Sequence, residues 1–375
     1  MDNSIKFPFY IRLSFMLISL IGISYIFSAG STILIPILMA FLNAVLLLPI
    51  VHFLNSKLRF PNVLSSSIAV LLFVSLLIGI LIFLSYEISD IADDFAAIKK
   101  NINLFIVDIQ HYIKENFHVS MWEKRRYIDD VTQDSVQKGK QTIGTTLMSV
   151  TDTILDLTLI PIYTFLILIY RTHFILFFAK LFKKEYHANL QDILTQIKSS
   201  VHSYIAGLIF EMIAVSALTS LGLYLIGVKY AILLGIITGI LNLVPYVGIL
   251  FAGGLTILAS LTGTPELSLI LGIIIVNIIV QIIDNNILVP MIINTKVQIN
   301  AFVSIVGILI GSQIGGIAGM FLAIPLLAIV KIVFDRLESA EPWGYLMGDN
   351  MPKAFVWRFK KNTAKNKLET NETAN

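Results

Sequence analysis

ELSLILGIIIVNIIVQIIDNNILVPM, residues 266–291, is the stretch of sequence that decides the fold. Its apolar run covers about the 20 residues that an α-helix needs to cross the hydrocarbon core of a bilayer. Comparable apolar runs occur at 9–28, 31–54, 62–86, 150–170 and 203–226. The sequence therefore predicts an all-α, polytopic integral membrane protein with six ordinary transmembrane helices.

The composition of the whole chain supports the same class of protein. Of its 375 residues, 56% are hydrophobic and only 14% are charged, whereas a soluble domain carries about 25% charged residues. The net charge of +3 is small and the basic residues lie in short loops and the tail, so we expect no nucleic-acid partner. The absence of cysteine excludes disulfides, thiolate metal sites and cysteine nucleophiles.

Two further apolar stretches, 230–261 and 301–333, are too long for one comfortable crossing and too short for two, which would need about 40 residues and a turn. NLVPYVG at 242–248 interrupts the first, and GSQIGGIAG at 311–319 interrupts the second. Proline and glycine weaken helices. The residues that we assign to helix breaks or gating are Pro245, Gly248, Pro290, Gly311, Gly315, Gly316, Gly319 and Pro325.

Two structures remain open for these interrupted stretches. Broken helices or re-entrant hairpins would line a transport site, because freed backbone groups at membrane depth need protein or a watery cavity to satisfy them. Alternatively, each stretch forms one long tilted helix with a glycine packing face.

Lys and Arg in short loops favour the cytoplasmic side of a membrane. Lys6 precedes the first span and Arg12 lies at its start, Lys57 and Arg59 follow the second span, and the chain after 334 is rich in Lys and Arg. We therefore expect a multi-pass membrane protein with cytoplasmic N- and C-termini.

The polar segments divide the chain into four regions. We predict a three-span bundle at 1–86, an extracytoplasmic amphipathic helical hairpin at 87–149, a transport core at 150–334 and a basic cytoplasmic tail at 335–375. The tail lacks apolar periodicity, so we expect it to lie loosely against anionic headgroups.

Within 87–149, apolar residues alternate three and four positions apart, as in a coiled-coil seam. They are Ile91, Phe95, Ile98, Ile102, Phe105, Ile109 and Tyr112. The seam either packs the two arms of the hairpin together or joins subunits of a homo-oligomer.

Polar residues inside the apolar runs are the candidates for binding, because an ionisable side chain in a membrane costs a few kcal/mol. In 266–291, one polar stripe recurs at helical spacing and consists of Asn277, Gln281, Asp284 and Asn285. Its oxygen atoms suit a hydroxylated solute or Na⁺.

Glu211 is a second acid, about half-way along 203–226, and Asn242 is the first residue of the 242–248 break. A pair of carboxylates at membrane depth is typical of coupling to H⁺ or Na⁺. The alternative for both acids is that they only join helices through hydrogen bonds.

The sequence contains no phosphate-binding loop with its lysine, no His-Glu-x-x-His motif and no nucleophile elbow. We therefore expect a protein that is not an enzyme and needs no cofactor or metal. Its energy would come from an ion gradient, of Na⁺ or H⁺, or from the gradient of its substrate.

Three motifs together resemble the autoinducer-2 exporter (AI-2E) family of bacterial permeases. They are NLVPYVG at 242–248, QIIDNNILVP at 281–290, and the glycines from Gly307 to Gly319 followed by Pro325. Their order and spacing match, and the resemblance covers nearly the whole chain. One difference is that members often carry a His-Pro pair after the second motif, where this chain has Asn300 and Ala301.

The resemblance implies an oligomeric membrane transporter, with some members linked to export of autoinducer-2 and others to Na⁺/H⁺ exchange. Three hypotheses follow: a secondary or facilitated permease for a small polar solute, a cation/proton antiporter that uses Asp284 with Glu211, and a non-transporting oligomeric scaffold built on 87–149.

Overall fold

A computed structural model of the protein describes residues 8–93, 101, 150–243, 253–254, 256–257, 267–293, 299–337 and 340–349. These residues are predominantly helical. The helices are α1 Phe9–Ala29, α2 Ser31–Lys57, α3 Asn62–Asp93, α4 Val150–Leu181, α5 His187–Leu225, α6 Ala231–Asn242, α7 Leu267–Ile283, α8 Val289–Ile293, α9 Ala301–Phe334 and α10 Glu341–Met347. A 3₁₀ turn at Lys184–Tyr186 precedes α5, and a π-helical turn at Asp284–Leu288 joins α7 to α8.

Six helices in the described part of the chain are long and apolar enough to cross a membrane, which confirms a polytopic, helical membrane protein. They are Ser31–Lys57, Asn62–Glu87, Thr158–Leu181, Lys184–Leu225, Ser268–Met291 and Ala301–Phe334. Five coincide with predicted spans, and α1 covers the remaining prediction at 9–28. The sixth long helix is one of the two stretches that were predicted to be interrupted.

Helix α5 begins earlier than its predicted span at 203–226. The helix already starts at His187, because Ile197 and Val201 in its polar first half pack against α2 in one apolar cluster. The predicted hairpin at 87–149 lies outside the described residues, apart from the end of α3 and residue 101.

Helix α2 lies at the centre of the first bundle. Ala40 and Ala44 on α2 and Ala69 on α3 are fully or almost fully buried, and such small residues let membrane helices approach closely. The Thr164 hydroxyl on α4 donates to the Ala40 carbonyl at 3.4 Å. Helix α2 therefore packs closely against its neighbours through these small residues, beside buried large side chains such as Leu42 and Leu47.

The stretch 301–333, for which a break was predicted, contains two adjacent glycines with non-helical backbone angles. Gly315 has φ −142° and ψ 21°, and Gly316 has φ 56° and ψ −136°, a conformation that is essentially restricted to glycine. On opposite sides of the break, the backbones of Gly311 and Gly319 touch, so a Cβ on either would overlap the carbonyl oxygen of the other. In a straight helix these residues would be about 12 Å apart. Helix α9 is thus two arms that fold back on each other, and a single long helix is excluded here.

The other interrupted stretch is described only in part. Helix α6 ends at Asn242, as expected if a break follows. Pro245 and Gly248, which were predicted to make that break, lie outside the described residues.

The start of the basic tail is packed, contrary to the expectation of a loose segment. Helix α10 lies against the base of α9, where Gly344 contacts Asp335 so closely that a Cβ would overlap its side chain. The Asn300 amide donates to the carbonyls of Leu346 at 2.7 Å and Gly348 at 3.1 Å, and its oxygen accepts the Val303 N–H at 2.9 Å. The spacing of apolar residues does not predict this contact, because the Asn300 side chain makes it with backbone carbonyl groups.

Asn300→Ala removes the N-cap of α9 and the two side-chain hydrogen bonds to the carbonyls of Leu346 in α10 and Gly348 after it. We expect the free energy of unfolding to fall by about 1–2 kcal/mol, since caps and buried hydrogen bonds each contribute about 1 kcal/mol. Thermal unfolding in detergent and proteolysis within 340–349 measure the effect. Asn285→Ala, at an exposed asparagine, is the control; equal protease resistance in both variants would contradict the role of Asn300.

Candidate functional site

Three polar side chains from separate elements meet inside the helix bundle. The Asn242 amide nitrogen, at the end of α6, lies 3.0 Å from Oε1 of Glu211 on α5 and 3.3 Å from Oδ2 of Asp284 in the π turn. Glu211 is 6% exposed and Asp284 is 4% exposed. We name this acid–amide–acid group of Glu211, Asn242 and Asp284 the polar triad.

The position of Asn242 follows from close packing between α5 and α6. Gly235 lies against Ser220, and Gly239 lies against Ser216, with space at neither glycine for a Cβ. The contacting residue numbers increase along α6 while they decrease along α5, so the two helices are antiparallel. Continuing this register by one turn places Asn242 beside Glu211.

The position of Asp284 follows from the packing of α7 against α5. Gly222 contacts Val276, and Val215 and Val280 belong to one buried cluster with Leu288. This antiparallel register places Asp284 opposite Glu211, between Val280 and Leu288 of the apolar cluster.

A π turn presents Asp284. The Val289 N–H donates to the Asp284 carbonyl five residues back, and the Asn286 amide donates to the Ile282 carbonyl at 2.8 Å. Pro290 follows directly, and its ring would clash with the carbonyl of Asn286 in a regular α-helix. The wider turn relieves this clash, and single π turns in helices are frequent at functional sites.

The triad is rich in hydrogen-bond acceptors, and one of these acceptors is unused. An asparagine amide has two N–H donors, and here its nitrogen bridges both carboxyl groups. Oδ1 of Asp284 is buried and has no hydrogen-bond partner among the described residues. Two carboxylates in a low-dielectric interior need a proton, a cation or a hydrogen-bonding ligand to offset their charge.

The structure places the other described site residues that were predicted outside this triad. Asn277 and Gln281 are half-buried on α7, whereas Asn285 is exposed and does not share the burial of Asp284. Pro290 is exposed in α8. The gating residues of the second break all lie in α9, with Gly311, Gly315 and Gly316 at or before the reversal and Gly319 and Pro325 buried after it.

Two features of the site were not identified from the sequence. One is the close packing of α5 against α6. Its signal in the sequence is a pair of small residues four positions apart on each helix, Ser216 with Ser220 and Gly235 with Gly239. The other is the bridging position of Asn242, which depends on tertiary register.

Asn242→Leu leaves two buried carboxyl groups without their shared donor. We expect the free energy of unfolding to fall by about 1–3 kcal/mol, the cost of an unsatisfied buried polar group. Thermal unfolding in detergent measures this, with Asn285→Leu as the exposed control. In a protein that also carries Glu211→Gln and Asp284→Asn, Asn242→Leu should lower the free energy of unfolding by less. An equal decrease in both proteins would show that Asn242 does not act through the two acids.

Comparison with known proteins agrees with this architecture. The AI-2E family transporter pattern matches residues 13–339. YueF of Bacillus subtilis (strain 168), named as a candidate transport protein, is 27% identical over 317 residues, which are 81% of this chain and 84% of YueF. YrrI of the same organism, named likewise, is 23% identical over 313 residues, 80% of this chain and 86% of YrrI.

A shorter match reaches PerM of Escherichia coli (strain K12), named as a candidate permease. It is 27% identical over 150 residues, 39% of this chain and 41% of PerM. The family pattern spans most of the sequence, including all three elements that carry the polar triad. The chain belongs to the AI-2E family of membrane transporters.

Proposed function

We propose that the protein is a secondary or facilitated permease of the bacterial inner membrane that binds a small polar solute at the polar triad. The observation that carries this proposal is the hydrogen-bonded Glu211–Asn242–Asp284 group, buried beside the end of α6 and a π turn. Polar groups of this kind are costly in a membrane and mark transport pathways.

The folded-back α9 supports a re-entrant arrangement. Its two arms reverse at Gly315 and Gly316, so both ends of α9 lie together, where α10 contacts them. In this proposal α9 enters the membrane from the cytoplasmic face and both termini are cytoplasmic.

The solute follows from the chemistry of the triad. Carboxyl and amide oxygens accept hydrogen bonds from hydroxyl groups, so a small hydroxylated molecule of the autoinducer-2 type fits the site. Asn277 and Gln281, half-buried on α7, extend the polar lining.

The subunits form a homo-oligomer, and the large exposed apolar surface of α1 and α3 is available to lipid and to neighbouring subunits.

A Na⁺/H⁺ antiporter is the second candidate function. The free Oδ1 of Asp284 beside a second carboxyl group favours it, because oxygen ligands bind Na⁺ and the same acids can carry H⁺. Both candidate functions use the polar triad, and they differ in whether a polar solute or the ions Na⁺ and H⁺ are transported.

Flux measurements on purified protein in proteoliposomes distinguish the candidates. A permease accelerates the exchange of a labelled hydroxylated solute across the vesicle membrane and needs no added Na⁺. An antiporter dissipates an imposed pH gradient only when Na⁺ is added. Absence of both activities would contradict the proposal and favour a non-transporting scaffold.

A further inference from the structure

Helix α5 carries a row of residues that leads from the polar triad toward the N-terminal end of the helix. Going back from Glu211, steps of three or four residues reach Gly207, Tyr204, Ser200 and Gln196. Residues at these steps lie on one face of an α-helix, and the row spans about 22 Å at 1.5 Å per residue. We name these five residues the polar row.

Two members of the polar row have buried polar atoms without a protein partner. Ser200 is 4% exposed, and neither its hydroxyl nor the Gln196 Oε1 atom has a hydrogen-bond partner among the described residues. By contrast, the neighbouring Thr195 hydroxyl donates to the Gln191 carbonyl of its own helix at 2.7 Å. Buried polar atoms are normally satisfied by protein or by water. Ser200 and Gln196 therefore favour a hydrated route over a dry helix contact.

The second arm of α9 packs beside this part of α5. Val201 and Ile205, which directly follow Ser200 and Tyr204, share a buried apolar cluster with Leu322 of α9. The polar row therefore runs along the edge of the contact between α5 and α9, next to its apolar centre.

An ion pair joins the same two elements at the end of the polar row. Asp192 lies one turn before Gln196 on α5, and its Oδ2 accepts a hydrogen bond at 2.7 Å from Nε of Arg336, just after α9. The Asp192 side chain is exposed and that of Arg336 is partly exposed. An exposed ion pair contributes little to stability, so this contact can open and close readily. Under the proposed orientation it lies on the cytoplasmic side.

We propose that the polar row lines a route between the polar triad and the cytoplasm, and that the Asp192–Arg336 ion pair closes this route. The inference rests on the proposed transport function, because it supplies the path that the cargo of the triad takes. A small hydroxylated solute would pass by exchanging hydrogen bonds with Ser200 and Gln196, whose side chains offer both donors and acceptors.

Cysteine labelling from the cytoplasmic side tests the route without measuring transport. A small, charged thiol reagent should modify Ser200→Cys in inside-out membrane vesicles. Val201→Cys, at a residue buried in the apolar cluster, is the matched control and should stay unmodified. A Ser200→Cys variant that reacts no faster than Val201→Cys would overturn the route.

Removal of the ion pair tests how the route is closed. Asp192→Ala should speed the labelling of Ser200→Cys about two- to fivefold, the effect of losing a weak, exposed ion pair. Asp335→Ala is the control, because Asp335 pairs with Lys331 four residues before it and does not join α9 to α5. Equal labelling rates in the two variants would overturn the closing role of Asp192.

Cross-linking tests whether the ion pair must open during transport. A short, cleavable bifunctional thiol reagent should join Asp192→Cys to Arg336→Cys, since the native side chains are in contact and the chain has no other cysteine. The cross-linked protein should lose its flux in proteoliposomes and regain it when the linker is cleaved. Unchanged flux after cross-linking would overturn the closing role. Absence of flux before cross-linking would instead contradict the transport function, and the labelling of Ser200→Cys would still decide whether the route exists.

Discussion

Asp284→Asn is expected to lower the transport rate of the reconstituted protein about 10- to 100-fold. The substitution keeps the size of the side chain but removes the charge and an acceptor, and hydrogen bonds to charged groups contribute about 1.5–3 kcal/mol. Asp284 is buried and has one oxygen without a partner among the described residues, so it has capacity to bind cargo directly. Initial rates of flux in proteoliposomes measure the change.

Glu211→Gln should give a smaller loss, because among the described residues Asp284, and not Glu211, has a buried oxygen without a hydrogen-bond partner. Glu185→Gln, the same change at an exposed acid before α5, is the matched control and should leave the rate unchanged. If Asp284→Asn transports at the wild-type rate while Asn242→Leu is destabilised, the triad only joins helices and the proposed binding role fails.

The second large effect is expected at the reversal of α9. Gly316→Ala should lower the free energy of unfolding by about 1–3 kcal/mol, because φ 56° with ψ −136° is strained for any residue with a Cβ. Gly311→Leu should be more severe, since the Gly319 backbone occupies the space for its side chain. Thermal unfolding in detergent measures both changes. The matched control is Gly79→Ala, where a Cβ meets nothing within 4 Å.

A cysteine pair tests the same reversal without relying on stability. Gly307 lies against the side chain of Leu327, so Gly307→Cys with Leu327→Cys should form a disulfide on oxidation. The chain has no native cysteine to interfere. In a single straight helix these residues would be about 30 Å apart, and the cysteines could not join. Failure to cross-link in folded protein would refute the hairpin.

Much of the fold could be predicted because each element carries its own signal. Apolar runs locate the long helices, since the length needed to cross a membrane is fixed by bilayer thickness. The paired glycines at Gly315 and Gly316 identify the break in α9, because few other residues adopt that backbone conformation. The acids Glu211 and Asp284 stand out against apolar surroundings in the same way.

The remaining features depend on how elements meet, and one sequence does not show this. Asn242 bridges the two acids only because α5 packs antiparallel against α6 in one register. Asn285 follows Asp284 directly yet is exposed, since a step of one residue turns a helical side chain to a different face. Asn300 joins α9 to the tail through backbone carbonyls, which leave no pattern in the side chains.

The central claim is that the polar triad lies on a path that water and solute can reach. Single-cysteine labelling at Gln281, half-buried one turn before Asp284, tests this most directly. Ile282→Cys, on the exposed apolar face of α7, is the control. A small, charged thiol reagent should modify Gln281→Cys in membranes, more slowly when transported cargo is present, and should leave Ile282→Cys unmodified because lipid covers it. An unreactive Gln281→Cys, or equal reactivity at both positions, would contradict a transport site at the triad.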